Sequence, residues 1–151
     1  MDTIWRAFKY QVNRIPDELF LGSRDYSTDE TGPYMWKTWK QVDELVENYA
    51  RGMKKLDLLP DIENEGKWKF MGILAKNRWE WICTELASVR QGGTTVAFYD
   101  TLGPAAVEFI INQTQLTTIS CSGNYLDTLI KLKGTGRIPT LQNLVSFDFF
   151  T

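Results

Sequence analysis

Apolar residues recur along this chain first with a helical period and then in short runs suited to strands. Ile4, Phe8, Val12 and Ile15 stand at helical spacing, with Thr3 placed to cap that helix and Pro16 to stop it. Two short apolar-aromatic runs follow, Leu19 to Ser23 and Tyr34 to Trp39. The polar, Gly-Pro-containing stretch Arg24 to Pro33 separates them, which predicts a small hairpin with a long loop. Thr38 and Gln41 then form the T-x-x-Q pattern of a capping box. Val42, Leu45, Val46, Tyr49, Met53 and Leu56 continue it as an amphipathic helix to near Pro60. From Pro60 to Trp68 the chain is acidic and reads as an exposed connection.

Beyond Trp68 the rhythm changes. Lys69 to Ala75 is an apolar run suited to a strand covered on both faces. Asn77 and Glu80 have the spacing of a reciprocal cap, predicting a helix from Asn77 to Arg90 that buries Trp79, Ile82, Cys83, Leu86 and Ala87. Gly92 and Gly93 stop it, and Thr94 to Tyr99 is rich in β-formers, with Thr94 to Phe98 expected as a central buried strand. Pro104 opens a helix to about Thr114, with Val107, Ile110 and Ile111 on one side. Thr117 to Cys121 predicts a strand, Asn124 to Lys133 a helix, and Asn143 to Phe147 a last strand. Strands alternating with helices of this length imply an α/β fold: βαβ units forming a mostly parallel sheet with helices on its faces. Residues 1–151 are expected to form one domain or subdomain, without a second domain. Phe147, Phe149 and Phe150 crowd the end of the sequence, and apolar residues there are expected to dock against something, so a free monomer is not expected.

Composition narrows the chemistry. The chain is 43% hydrophobic and 24% charged, with a formal charge of -2, and its Lys and Arg are dispersed among Asp and Glu. No basic face points to nucleic acid. No apolar run approaches the ~20 residues of a membrane span, and the amino terminus lacks a secretory pattern, so an intracellular setting is expected. The sequence contains no His, which removes Ser-His and Cys-His nucleophile pairs and His-ligated zinc. Cys83 and Cys121 read as small buried hydrophobes. Trp36, Trp39, Trp79 and Trp81, without basic neighbours, read as core or interface, and Asp61, Glu63 and Glu65 as a solvated loop.

No dinucleotide fingerprint or phosphate loop is present. Gly92 and Gly93 precede a strand, whereas a phosphate cradle follows one and opens a helix. Gly134 to Arg137 reads as a turn. The remaining candidate is the loop Phe98 to Pro104, after a strand and before a Pro-initiated helix, where such sheets place ligand-facing turns. Within it Tyr99, Asp100 and Thr101 are the candidate residues. Either Asp100 or Thr101 is expected to cap the following helix, and a contribution to binding stays open beside that reading.

Several of these segments also resemble a known family. Gly72-Ile-Leu-Ala-Lys-Asn-Arg-Trp-Glu-Trp81 is similar to the GI-A-NRPEW segment of eukaryotic-type long-chain acyl-CoA synthetases. Tyr99-Asp-Thr-Leu-Gly103 followed by Ala106 to Asn112 resembles their YDTLG…IEFIIN segment, and Gly32-Pro-Tyr-x-Trp36 their GPYEW entry to a helix. The likeness runs in order from about Thr3 to Phe147. Trp79 stands where the family has proline, Ala97-Phe98 where it often has Pro-Leu, and Asp61 to Trp68 is longer than usual.

The resemblance implies the early part of the large N-terminal domain of an adenylate-forming enzyme. That class activates fatty acids with ATP to acyl-adenylates and then transfers the acyl group to coenzyme A. The family's TSGTTG-PKG phosphate loop, its magnesium and nucleotide motifs and its lid lysine are not in this sequence. No catalytic, cofactor-binding or metal residue is therefore carried over. ATP, magnesium and coenzyme A are expected only for a complete family member. Tyr99, Asp100 and Thr101 would support its substrate region without reacting. The expected partners are the remainder of a synthetase or other protein subunits, and association with an organelle surface is implied only by the family. Three readings compete: a piece of a longer synthetase, a short scaffold subunit that keeps the fold, and an independent small enzyme or nucleotide-binding domain, against which the absence of His and of a phosphate loop argues.

Overall fold

The computed structural model describes residues 3–24 and 32–148. Helix α1 (Ile4–Arg14) is capped as its sequence predicts, Thr3 Oγ1 accepting from the Arg6 N–H at 3.2 Å, and it buries Phe8 and Val12. Strands β1 (Leu19–Arg24) and β2 (Tyr34–Thr38) pair antiparallel, with Gly22 opposite Trp36. A Cβ added at Gly22 would lie 2.8 Å from the Trp36 ring, so a larger residue there would displace that ring. Most of the expected hairpin loop lies outside the described residues. Helix α2 (Trp39–Lys55) starts on the reciprocal cap: Gln41 N–H donates to Thr38 Oγ1 at 3.3 Å and Thr38 N–H to Gln41 Oε1 at 2.9 Å.

The acidic connection is more ordered than its composition suggests. Strands β3 (Ile62–Glu63) and β4 (Lys67–Trp68) form a miniature hairpin that buries Ile62. The Trp68 indole N–H donates to the Asn64 carbonyl at 3.0 Å and ties the turn. Single apolar residues, not a periodic run, hold this element, so a pattern search passes over it.

The remaining elements are β5 (Phe70–Leu74), α3 (Trp79–Arg90), β6 (Thr94–Phe98), α4 (Pro104–Thr114), β7 (Thr118–Cys121), α5 (Leu126–Gly134) and β8 (Asn143–Ser146). A single 3-10 turn at Gly123–Tyr125 leads into α5. The four strands form one parallel sheet in the order β6-β5-β7-β8. Strand β6 is thus an edge strand, correcting the expectation that Thr94 to Phe98 is central. The chain steps outward from β5 to β6 and then crosses back over β5 to place β7 on its other side. The direction of these steps is not written in the local sequence.

Helix α3 packs with α1 and α2 on one face around Val42, Val46, Met53, Met71, Ile73 and Ala87. Helices α4 and α5 cover the other face around Ile111, Leu116, Ile119, Leu129 and Ile138. Tyr49 on α2 joins its layer to the sheet, its hydroxyl 2.7 Å from Ser120 Oγ on β7. Helix α3 also departs from its expected form. It begins at Trp79 with Arg78 at the N-cap and no side-chain cap, so Asn77 and Glu80 do not cap it. Trp79 and Ile82 are only partly buried, while Thr84 and Ser88 are buried. Their hydroxyls donate back to the Glu80 and Thr84 carbonyls at 2.8 and 2.7 Å, which lets polar residues face the core. Phe147 packs on the first cluster, and Phe149 and Phe150 lie outside the described residues.

Candidate functional site

In an open parallel sheet the ligand crevice lies outside the strands' carboxyl ends, where neighbouring strands send their helices to opposite faces. Here that point is between β5 and β7, since α3 leaves β5 toward one face and α5 leaves β7 toward the other. The crevice, about 390 Å³, is lined by Lys76, Asn77, Arg78, Ser122, Asn124 and Asp148.

Arg78 fills much of its bonding capacity internally. Nε and Nη2 each donate to a Glu80 carboxylate oxygen at 2.9 Å, and Nη1 donates to Ser122 Oγ at 3.2 Å and Asp148 Oδ1 at 2.9 Å. Its guanidinium also lies 5.3 Å from the centre of the Phe147 ring. The Glu80 pair chiefly raises the Arg78 pKa above its ordinary range, so the cation is permanent. The Gly123 N–H donates to Asp148 Oδ2 at 2.7 Å, and this bond, followed by Arg78, holds the Asp148 carboxyl below its usual pKa. One cation thus ties the start of α3 to the ends of β7 and β8, across the place where a doubly wound sheet usually receives a ligand.

That arrangement does not fit a magnesium-nucleotide. Both carboxylates and the guanidinium are committed to one another, and among the described residues no group of three His, Cys, Asp or Glu is placed to hold a metal. The glycine turns do not serve either. Gly92, at φ +74°, ends α3, and the cation beside Gly136 is committed, Arg137 Nε donating to Glu108 Oε1 at 3.0 Å.

The loop singled out by sequence sits at the carboxyl end of β6, on the sheet edge and one strand away from this crevice. Tyr99 is 76% exposed, and Asp100 and Thr101 are exposed as well. Neither caps α4: the N-cap is Gly103, without a side-chain bond, and the Gly103 carbonyl accepts from the Ala106 N–H at 3.0 Å. Pro104 already supplies the first-turn geometry and removes one donor needing a partner, so no polar cap is required. Tyr99 and Asp100 instead line a second groove of about 510 Å³ with Lys76, Trp81, Ala97 and Phe98. Thr101 does not join them.

Sequence reasoning missed Arg78, Ser122 and Asp148. Arg78 stood inside a recognisable motif, but nothing local signals a partner 70 residues away. Burial pushes the Cys83 thiol up to about 12 and the Cys121 thiol up to about 11, so neither is a nucleophile near neutral pH. No helix among the described residues is long and apolar enough to cross a membrane.

Comparison with known proteins agrees with this architecture. The family model described as AMP-binding enzyme matches residues 8–150. A peroxisomal acyl-CoA ligase of Penicillium brevicompactum is 36% identical over 143 residues, 93% of this chain and 20% of the ligase. Long chain acyl-CoA synthetase 2 of Arabidopsis thaliana is 29% identical over 147 residues, 97% of this chain and 21% of its own length. The chain therefore spans about a fifth of these curated relatives. Among solved structures, the N-terminal domain of FACL13 from Mycobacterium tuberculosis superposes with a TM-score of 0.75 at 16% identity, covering 97% of this chain and 33% of that one. The anthranilate CoA ligase AuaEII in complex with anthranoyl-AMP gives 0.75 at 16% identity, covering 96% and 25%. The chain belongs to the AMP-binding enzyme family and is similar to the N-terminal region of long-chain acyl-CoA ligases.

Proposed function

We propose that residues 1–151 are a non-catalytic early part of the large N-terminal domain of a long-chain fatty acid–CoA ligase. The complete enzyme would activate a fatty acid with magnesium-ATP to an acyl-adenylate and transfer it to coenzyme A. The observation that carries this reading is coverage: the match runs along 93% of this chain but only 20% of the Penicillium ligase. The sequence also contains no Ser/Thr/Gly-rich phosphate loop, and Arg78 at the crevice is spent on internal pairs. ATP, magnesium and coenzyme A would then be held by the remainder of the ligase. The role of this segment is to present a rigid sheet edge and loops, with Tyr99, Asp100 and Thr101 backing the substrate region. The peroxisomal name of the Penicillium relative supports an organelle setting.

Pyrophosphate release from a long-chain fatty acid and magnesium-ATP tests the non-catalytic assignment. The 151-residue chain is expected to release none, with the intact long chain acyl-CoA synthetase 2 of Arabidopsis thaliana as the active control, and clear turnover by the chain alone would sink the assignment. The intact mass of the native protein tests the larger enzyme. A mass near that of the relatives supports it, and a native protein no longer than this chain argues for a scaffold subunit.

A further inference from the structure

The outer edge of β6 is unpaired among the described residues. In a parallel ladder the N–H and C=O of one residue point to the same side, and successive residues alternate. The Thr94 N–H donates inward to the Lys69 carbonyl at 2.8 Å, so Val96 and Phe98 also face β5. The backbone groups of Thr95 and Ala97 therefore point outward. The strand reads TTVAF, with no charge, proline or bulge of the kind that usually guards an exposed edge. At its carboxyl end, beside exposed Ala97, lies the groove that Trp81, Phe98 and Tyr99 line together with Lys76, Asn77 and Asp100. An open main-chain edge next to a pocket with aromatic and polar walls is the arrangement that recognises an extended segment, the edge binding backbone and the pocket one side chain.

We propose that the outer edge of β6 is a strand-addition site, and that its occupant is an extended segment of the polypeptide its longer relatives carry beyond the matched region. That segment would place an apolar side chain against Trp81 and Tyr99. The choice of occupant rests on the function proposed above and on the length ratio: about four-fifths of the Penicillium ligase lies outside the match.

The test is amide-resolved hydrogen exchange on the 151-residue chain, alone and with overlapping synthetic peptides covering the unmatched part of the Penicillium ligase. Alone, Thr95 and Ala97 are expected to exchange fast, while Thr94, Val96 and Phe98 are protected. One peptide is expected to slow Thr95 and Ala97 by about tenfold or more, the scale on which local opening is read. Ala97→Pro, which removes only an outward N–H, is expected to abolish that protection while the inward amides stay slow. Thr95→Pro is the second variant if the first unfolds. The proposal is overturned by protection of Thr95 and Ala97 in the chain alone, by peptides that leave both amides fast, or by equal protection from peptides of an unrelated β-protein. Pyrophosphate release by the chain alone would refute the functional reading without touching the exchange result, so the two failures are distinct.

Discussion

Arg78 and Asp148, 70 residues apart in sequence, meet at 2.9 Å and join the start of α3 to the far end of the parallel sheet. Both are partly exposed, so the direct pair is worth little by itself, but Arg78 also holds Glu80 and Ser122. Arg78→Gln is expected to cost roughly 1–2 kcal/mol, because it strands the half-buried Glu80 carboxylate. A double-mutant cycle with Asp148→Asn, followed by urea denaturation, should return a coupling of about 0.5–1 kcal/mol. Additive losses would show that the two residues act separately.

Acid pH should weaken the same junction. The folded protein holds Asp148 below its ordinary pKa, chiefly through the Gly123 N–H and then through Arg78. Its contribution is therefore fully present above the unfolded value of about 4 and is lost as the pH falls through the lower folded value. Stability measured from pH 6 downward should fall less steeply in Asp148→Asn than in the parent chain. Identical acid limbs would remove Asp148 from the account.

The buried phenol of Tyr49 should matter for one bond. Its hydroxyl lies 2.7 Å from Ser120 Oγ, and burial raises its pKa, so it stays neutral. Tyr49→Phe keeps the ring packing and is expected to cost about 1 kcal/mol in thermal or urea unfolding.

Gly72 should not tolerate a side chain. A Cβ there would stand 2.6 Å from Leu116 Cδ2 and 2.7 Å from Ile119 Cγ1, both in the core beneath α4 and α5. Gly72→Ala is expected to destabilise by roughly 1–3 kcal/mol, the usual range for overpacking. An unchanged melting midpoint would mean that the two side chains move aside freely.

Caps separate what is bonded from what is only well spaced. Thr38→Ala removes an observed reciprocal cap and should cost about 1 kcal/mol. Asn77→Ala and Asp100→Ala remove no cap and should leave the melting midpoint where it was. A loss at Asn77 equal to that at Thr38 would move the start of α3 back to the position its spacing suggested.

The sequence by itself determined the elements, because each depends on neighbours a few residues away. The spacing of Val42, Val46 and Met53 marks α2, Thr38 and Gln41 start it, and Pro104 opens α4. The apolar runs at Phe70–Leu74 and Thr118–Cys121 mark parallel strands, and family membership was legible in the motifs around Asn77 and Tyr99. Tertiary structure decided what depends on distant partners. Strand order put β6 on the edge and opened a crevice between β5 and β7, beside the groove at the Tyr99 loop. The same assembly turned Arg78 from the residue after a supposed cap into the hub for Glu80, Ser122 and Asp148. A capping pattern states only that a bond is possible. A guanidinium with several nearby acceptors takes the geometry that satisfies most of them, and those acceptors converge only once the sheet has formed.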